Sequence, residues 1–210
     1  YRLHQAAAYW PVGTVFVSVV DPGVGTSRRS IVARIGDQYF VTPDNGTLSL
    51  VGQQGINAVR EIDETRHRIR GSTDSHTFHG RDVYAYTGAR LAAGVISFEE
   101  AGGVLAPTSL VRLAIGKPRV EAGALHGAIP VLDVRYGNVW TNIPRNMALT
   151  NKMGQGTRLR VQIRQEDKTV FDAVVPYTAT FGDVATGSPL IYTNSLERLA
   201  LALNQENFAN

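Results

Sequence analysis

The sequence predicts an α/β amino-terminal domain, here without its first segment, followed by a small all-β barrel domain. A β-branched apolar run at residues 14–20 has the length and composition of a strand covered on both faces, as in an α/β sheet. Residues 82–94 form a helical pattern with small and apolar side chains along one side. From about residue 117 onward, short alternating strands separated by turn residues dominate, as in a small barrel or sandwich.

The first domain, residues 1–116, is predicted to begin with the end of a helix at residues 2–10, terminated by Pro11 and Gly13. The predicted strands that follow are 14–20, 30–35, 38–43 and 58–62. Gly36 and Asp37 suit a tight hairpin because both residues tolerate positive φ, and the PDNG turn at 43–46 leads into a short helix. Gly94 is a C-cap candidate for the helix at 82–94, and Ser97 and Glu100 have the spacing of a capping box.

The second domain, residues 117–210, is predicted to start near Lys117–Pro118, where the composition changes. Its predicted strands are 124–134, 157–164, 168–176, 188–194 and 198–204. Because turn residues separate them at short intervals, a closed barrel is the expected architecture.

Composition excludes several classes of site. There is no cysteine, so disulfides, thiolate metal sites and cysteine nucleophiles are excluded. The net charge of +3 is spread along the chain, which argues against nucleic-acid or membrane-surface partners. No apolar stretch approaches the ~18 residues of a membrane span, and no signal peptide is visible, so a cytoplasmic location is expected. The chain starts at Tyr1 in the style of a helix interior, and we expect a segment to precede it.

The stretch DPGVGTSRR closes the first strand and carries the first candidate site. Pro22 fixes φ and Gly23 accepts the remaining dihedral angle, so the chain turns sharply after Asp21. Ligands of α/β sheets bind outside the carboxyl ends of strands, and Arg28 is placed to return and pair with Asp21. Two alternatives stay open: an ion pair that only clamps the turn, and a phosphate-binding nest, although the spacing matches neither GxGxxG nor the P-loop.

The stretch TFHGRDVYA carries the second candidate site. His79 and Arg81 lie on a glycine-containing turn before a helix, whose free N–H groups and dipole favour a neutral imidazole that acts as donor or base. The alternative is a structural histidine, and Asp82 is interpreted as a first-turn cap. His67 and His76 lack HExxH or any similar ligand spacing, so no metal site is predicted.

Two later stretches place amide, carboxylate and aromatic groups in turns. Asp133, Asn138, Trp140 and Asn142 fall within DVRYGNVWTNI, where they suit ribose hydroxyls or an amino-acid head group, or simply a hairpin. Asn194 and Ser195 follow a predicted strand, where they suit a base edge or a turn.

These pieces, in this order, resemble the S-adenosylmethionine (SAM) hydroxide adenosyltransferase family, relatives of the fluorinating and chlorinating adenosyltransferases. The matching stretches are VVDPGVGTSRR, TPDNG, TFHGRDVYA, DVRYGNVWTNI, TNS and LALALNQENFA. The resemblance implies an α/β domain and a β-barrel domain, assembled as a homotrimer with active sites between neighbouring subunits. It also implies SAM hydrolysis to adenosine and L-methionine by water attack at the ribose 5′-carbon, with no cofactor and no metal.

The resemblance also implies roles for residues of this chain. The Asp-Arg-His triad that holds the attacking water in hydrolytic members falls on Asp21, Arg28 and His79. The other matching positions bind substrate: Phe78 and Gly80 border the ribose and reacting carbon, Asp133 and Asn138 hold the methionine moiety with Trp140 beside them, and Phe181, Asn194 and Ser195 lie on the adenine side.

Two departures from the family pattern are visible. The family begins some tens of residues earlier, with an aspartate that binds the ribose hydroxyls, and it has proline and small residues where this chain has Tyr86 and Thr87. The alternative functions are a halide-dependent 5′-halo-5′-deoxyadenosine synthase and a non-catalytic SAM- or adenosine-binding protein. The halogenating branch lacks the triad and carries an extra loop, and this chain has the triad residues without such a loop.

Overall fold

A computed structural model describes residues 1–210 and divides them into two units, Tyr1–Leu113 and Ala114–Asn210. The division falls three residues before the boundary expected from the sequence. No helix in either unit is long and apolar enough to cross a membrane.

The first unit is built on a five-stranded sheet. Its strands are β1 (Val15–Val17), β2 (Ser30–Ile35), β3 (Gln38–Pro43), β4 (Ala58–Ile62) and β5 (Gly102–Leu105), in the spatial order β1-β3-β2-β4-β5. Only β1 pairs in parallel, with β3, and the other pairings are antiparallel. The two-residue turn at Gly36 and Asp37 joins β2 to β3 as predicted, with Ile35 opposite Gln38.

The first strand is covered on both faces where it forms, since Val15 packs against one core and Phe16 against the other, but the strand predicted at 14–20 is too long. β1 is an edge strand of three residues, and Val17 remains 42% exposed. Hydrogen bonding continues for one residue, from the Ser18 N–H to the Val41 carbonyl. The rest of the apolar run, including Val20, lies in an exposed turn. The apolar composition of residues 14–20 therefore predicts a strand correctly but overestimates its length.

Helical segments of the first unit flank this sheet. They are α1 (Arg2–Ala7), a π-helical turn at Gly80–Ala85 that continues into α2 (Tyr86–Ala92), and 3₁₀ turns at Thr47–Ser49, Val51–Gln54, Glu99–Ala101 and Pro107–Ser109. Gly94 follows α2 in the left-handed conformation expected of a C-cap, with φ of 66°. The Ser97–Glu100 capping box is confirmed, since each residue's backbone N–H donates to the other's side chain.

The first unit buries apolar side chains on both faces of its sheet because successive strand residues point to opposite sides. Val32 and Val41 pack with Val83 and Tyr84 of the π-helical turn on one face. Ile31, Ala33 and Phe40 pack with Leu48, Val59 and Leu110 on the other. The π-helical turn is therefore anchored by core packing immediately after His79.

The second unit consists of three antiparallel sheets with their own core. Its elements are β6 (Arg119–Glu121), β7 (Ala124–His126), β8 (Val131–Asp133), β9 (Asn138–Pro144), α3 (Arg145–Thr150), β10 (Arg158–Gln165), β11 (Lys168–Pro176), a 3₁₀ turn at Phe181–Asp183, β12 (Pro189–Thr193) and β13 (Arg198–Leu203). One sheet has the order β12-β13-β9-β8, and β10-β11 and β6-β7 form two-stranded ribbons. Its core includes Val139, Val175, Tyr177, Ile191 and Leu201.

The predicted closed barrel is not confirmed. A single bridge between Tyr177 and Ile191 connects the β10-β11 ribbon to the four-stranded sheet, and the two outer strands of this series, β8 and β10, do not pair. Closure requires hydrogen bonding around the whole circumference. Here β8 has three residues, and its second edge is left without a partner strand.

Candidate active site

The loop after β1 makes two consecutive tight turns that bring Arg28 back to Asp21. The Val24 N–H donates to the Asp21 carbonyl, and the Thr26 N–H donates to the Gly23 carbonyl. Gly25 occupies the third position of the second turn with φ of +78°, the left-handed conformation that a type II turn requires there. The conformational freedom that the sequence analysis gave to Gly23 is thus needed at Gly25.

Asp21 and Arg28 form a buried ion pair, as the spacing predicted. Arg28 Nε donates to both carboxylate oxygens at 3.0 Å, and Arg28 Nη2 lies 2.6 Å from Oδ2. The two side chains are only 6% and 10% exposed. An ion pair in such surroundings is stable only when its geometry is good and its remaining polar atoms are satisfied.

A serine continues this pair into a longer network. Arg28 Nη1 donates to Ser30 Oγ at 2.8 Å, and Ser30 Oγ donates to Glu64 Oε1 at 2.6 Å. Ser30 Oγ also lies 3.1 Å from the Tyr84 hydroxyl, and the Arg28 guanidinium lies 5.4 Å from the centre of the Tyr84 ring. The guanidinium is therefore held from three sides by Asp21, Ser30 and Tyr84.

His79 joins the far end of the same network. Its Nε2 lies 2.9 Å from Arg68 Nη2 and 3.3 Å from Glu64 Oε2, and Arg68 Nη2 in turn donates to Glu64 Oε2 at 2.8 Å. His79 is 6% exposed, and its Nδ1 is buried without a hydrogen-bond partner in the chain. The structure thus brings Asp21 and Arg28 into contact and links His79 to them through Ser30 and Glu64.

The charges of this network are stabilised by its own hydrogen bonds. Burial of the Glu64 carboxyl group acts to raise its pKa, but hydrogen bonds from Ser30 and Arg68 outweigh this effect and lower the pKa below its ordinary value. Burial raises the pKa of the Tyr84 hydroxyl, which therefore stays protonated. At neutral pH Glu64 is a carboxylate that accepts, and Tyr84 is a neutral phenol.

Phe78 and Gly80 flank His79 on the turn before the π-helical segment. Phe78 is 54% exposed, with the Arg81 guanidinium 5.0 Å from the centre of its ring. A Cβ atom on Gly80 would lie 3.4 Å from Val19 Cγ1, so this turn adjoins the end of β1. The loop that carries Asp21 and the turn that carries His79 are therefore neighbours.

Asp82 does not cap the helix, contrary to its interpretation from sequence. Its fully buried carboxylate pairs with Arg81, whose Nε lies 2.6 Å from Oδ1. The hydrogen bond from Arg81 lowers the pKa of the Asp82 carboxyl group despite its burial. His67 is structural, since Arg90 Nη1 donates to its Nδ1 and its Nε2 lies 2.9 Å from the Glu100 carbonyl. No group of three or more histidine, aspartate or glutamate side chains is arranged to hold a metal ion.

The second unit contains a pocket of about 540 Å³ that brings Asn138 and Phe181 together. Asn138 is buried with its Oδ1 unpartnered, and Phe181 packs against Tyr192 with ring centres 5.0 Å apart. The remaining lining residues are Arg135, Tyr136, Gly137, Leu203, Gln205, Glu206 and Asn207. An aromatic ring beside an unpartnered amide oxygen is suited to a flat heterocycle with an amino group.

The other predicted substrate-binding residues of the second unit lie outside the lining of this pocket. Asp133 is opposite Asn138 in the β8–β9 ladder, and Trp140 is opposite Ala200 in the β9–β13 ladder. The Asn194 carboxamide oxygen accepts from the N–H groups of Leu196 and Arg198, which closes the turn that carries Ser195. Asn194 Nδ2 is buried without a partner, so both of its N–H groups remain for a ligand.

The third candidate cluster includes one residue with a purely structural role. The Asn142 side chain accepts from the Ala128 N–H and donates to the Gly116 carbonyl, at 2.8 and 2.5 Å. This amide joins the strand β9 to the segment before β8. Asn142 is therefore structural, but it lies within β9 and not in the turn of the predicted hairpin.

Comparison with known proteins identifies the family of this chain. Residues 1–102 match the SAM hydroxide adenosyltransferase N-terminal domain, and residues 127–210 match the C-terminal domain. An (R)-S-adenosyl-L-methionine hydrolase of Salinispora tropica is 37% identical over 96% of this chain and 71% of its own length. The chain belongs to the SAM hydroxide adenosyltransferase family.

Other relatives show how wide this family is. A fluorinase of an Actinoplanes species is 32% identical over 93% of this chain and 72% of its own length. Among solved structures, an uncharacterized conserved protein from Thermotoga maritima superposes with a TM-score of 0.83 at 36% identity, over 98% of this chain and 75% of that one. The chain is therefore similar in sequence to hydrolases and to fluorinases, and its fold matches that of the Thermotoga maritima protein.

Sequence reasoning missed the residues that connect the candidate site. Glu64 and Arg68 lie in a segment considered only for its histidines, although their i, i+4 spacing and opposite charges indicate a pair. Ser30 was assigned only to a strand, and Tyr84 only to a helix. Tyr136, within the YGN turn, supplies an aromatic side chain to the pocket of the second unit.

Proposed function

We propose that this chain hydrolyses SAM to adenosine and L-methionine, with Asp21, Arg28 and His79 holding the attacking water. The observation that carries the proposal is the buried Asp21–Arg28 ion pair, which is linked to His79 through Ser30 and Glu64. The Nδ1 atom of His79 is buried and has no partner in the chain. Membership of the family and the hydrolase relatives at 37% and 32% identity support the same reaction.

The chemistry requires alignment and activation of one water molecule. The water oxygen forms a bond to the ribose 5′-carbon while the carbon–sulfur bond breaks. The electron pair of the carbon–sulfur bond leaves with the sulfur. Because the sulfonium leaves as a neutral thioether, no acid has to protonate it. Arg28 and His79 donate hydrogen bonds to the oxygen as negative charge develops, and Asp21 orients Arg28 or accepts the water proton.

The pocket of the second unit supports recognition of the adenosine part. The resemblance assigns Asn138 to the methionine moiety, but its unpartnered oxygen suits an exocyclic amine and the Phe181 ring beside it suits a base, so we propose that both contact the adenine. We propose that Asp133 and Trp140 contact the methionine moiety and that Asn194 and Ser195 lie on the adenine side, in the roles that the family resemblance gives them. We further propose a homotrimer and a cytoplasmic location.

Substitution of the pair tests the proposal. In Asp21→Ala and Arg28→Ala, adenosine release from SAM, followed by chromatography, is expected to fall by roughly 10²-fold or more, because a positioned proton acceptor or donor contributes about that much. Arg160→Ala is the matched control, since Arg160 and Asp172 form an exposed pair of the same residue types at 2.8 Å. Wild-type turnover in both site variants would refute the role of the pair.

A halide-dependent synthase is the second candidate, because fluorinases are among the relatives. It predicts 5′-halo-5′-deoxyadenosine when chloride or fluoride is added. Hydrolysis predicts adenosine as the product whether or not halide is present. Binding of SAM by calorimetry with neither product would instead indicate a non-catalytic binding protein.

A further inference from the structure

The two ring nitrogens of His79 have different surroundings, and the difference fixes where the ring carries its proton. We propose that Arg68 and Glu64 are positioning residues that hold His79 as the neutral Nδ1–H tautomer, so that Nδ1 donates to the attacking water. The catalytic half of this inference rests on the proposed function, whereas the tautomer itself does not.

The assignment follows from hydrogen-bond chemistry at Nε2. A guanidinium group has only donors, so Arg68 Nη2 at 2.9 Å must donate and His79 Nε2 must accept. Arg68 Nη2 carries two hydrogens, and Glu64 Oε2 at 2.8 Å takes the other one. His79 Nε2 and Glu64 Oε2 then both accept from the same guanidinium nitrogen, which explains why they lie 3.3 Å apart without a hydrogen bond between them. A neutral ring with an accepting Nε2 carries its proton on Nδ1.

Glu64 fixes this arrangement by accepting hydrogen bonds at both of its carboxylate oxygens. Its Oε2 accepts from Arg68, and its Oε1 accepts from Ser30, which itself accepts from Arg28. One carboxylate therefore orients Arg68, which contacts His79, and Ser30, which contacts Arg28. Arg68 is only 11% exposed, so its guanidinium has little freedom to find another partner.

The tautomer decides which residue takes the water proton. Nδ1 is buried without a partner in the chain, and a buried N–H without a partner is costly, so it is available to a bound oxygen. A protonated Nδ1 stabilises developing hydroxide but cannot accept a proton. The water proton then goes to the Asp21 carboxylate, whose oxygens have lone pairs beyond those used by Arg28.

Nitrogen NMR of the protein without substrate tests the tautomer. In protein with ¹⁵N-labelled histidine, long-range ¹H–¹⁵N correlations distinguish protonated from unprotonated ring nitrogens, and His79 is assigned by its loss in His79→Asn. The expected pattern is a protonated Nδ1 and an unprotonated Nε2, retained in Arg68→Lys and lost in Arg68→Met. Arg70→Met, an exposed arginine two residues away, is the matched control. A protonated Nε2 in the wild type, or an unchanged pattern in Arg68→Met, would overturn the inference.

Kinetics test the catalytic half. The amide nitrogen of asparagine occupies the place of Nδ1 and that of glutamine the place of Nε2, so His79→Asn is expected to retain at least tenfold more kcat than His79→Gln. Arg68→Met is expected to lower kcat by roughly 10²-fold with little change in KM, because the donor is misoriented rather than the substrate lost. The reverse order of the two His79 variants would exclude Nδ1 as the donor. If the wild type releases no adenosine, the proposed function fails while the NMR result still stands.

Discussion

Glu64 is a residue through which the stability of the first unit depends on pH. Its pKa is lowered because the hydrogen bonds from Ser30 and Arg68 outweigh the effect of burial. A carboxyl group with a lowered folded-state pKa stabilises the protein above its ordinary pKa of 4.5, and that contribution is lost as the pH falls through the folded value. Glu64→Gln should therefore lower the free energy of unfolding at pH 7 by about 1.5–3 kcal/mol, the range for a hydrogen bond to a charged group.

Urea unfolding at several pH values checks this prediction. The difference between wild type and Glu64→Gln should shrink progressively below pH 4.5. Glu61→Gln is the control, because it changes an exposed carboxylate three residues earlier, on β4. A difference that stays constant down to pH 3 would show that the charge of Glu64 is not the stabilising feature.

Residue types at special backbone positions were predictable, whereas partners distant in sequence were not. Asp21 and Arg28 are seven residues apart across a turn of proline and glycine, so their contact follows from local geometry. The contact of His79 with Glu64 and Arg68 depends on how residues 64–79 fold back on the strand that ends at Ile62. No local pattern in the sequence determines that path.

At the scale of elements, Gly137 is the residue that lets the carboxyl-terminal segment pack on the β8–β9 turn. The N–H groups of Phe208 and Ala209 both donate to the Gly137 carbonyl, and Gly137 has φ of +70°. A Cβ atom there would lie 2.5 Å from Asn207 Cα, which is too close for any side chain. Because Gly137 and Asn207 both line the pocket with Asn138 and Phe181, this contact shapes the proposed adenosine site.

Two alanine substitutions separate backbone strain from this close approach. Gly156→Ala, at φ of +88° with nothing within 4 Å of the added carbon, should cost about 1 kcal/mol of stability. Gly137→Ala should cost about 2–4 kcal/mol, because overpacking is added to strain, and it should weaken adenosine binding. Urea unfolding and calorimetry measure both quantities. Equal losses in the two variants would show that the Asn207 contact is unimportant.

Elements with a clear period and a clear boundary were predicted well, and closure of the sheets was not. The strands at 30–35, 38–43 and 58–62 and the capping box at Ser97 agree with their sequence patterns. The barrel prediction was wrong because the alternation of apolar and polar residues shows which face of a strand is buried but not which strand pairs with its free edge. In the second unit, three-residue β8 leaves that edge unpaired with β10.

At the scale of the whole molecule, the proposed catalytic residues and the proposed adenosine pocket belong to different units. Asp21, Arg28 and His79 lie in Tyr1–Leu113, and Asn138 and Phe181 lie in Ala114–Asn210. Apolar side chains are exposed beside the catalytic loop, with Val20 at 75% and Phe78 at 54%. Exposed apolar side chains of this kind are a feature of interaction surfaces, and the proposed trimer would cover them.

A complementation experiment tests whether neighbouring subunits share each site. Asp21→Ala inactivates the first unit and Asn138→Ala the second, so neither variant alone should release adenosine. If a site uses the first unit of one subunit and the second unit of a neighbour, co-expression restores activity, to about a quarter of the wild-type level for random mixing in a cyclic trimer. Light scattering should give three times the 22.8 kDa of one chain. Separately purified variants mixed without subunit exchange are the control. Activity that stays absent after co-expression, in a species of trimer mass, would show that each subunit supplies its own complete site.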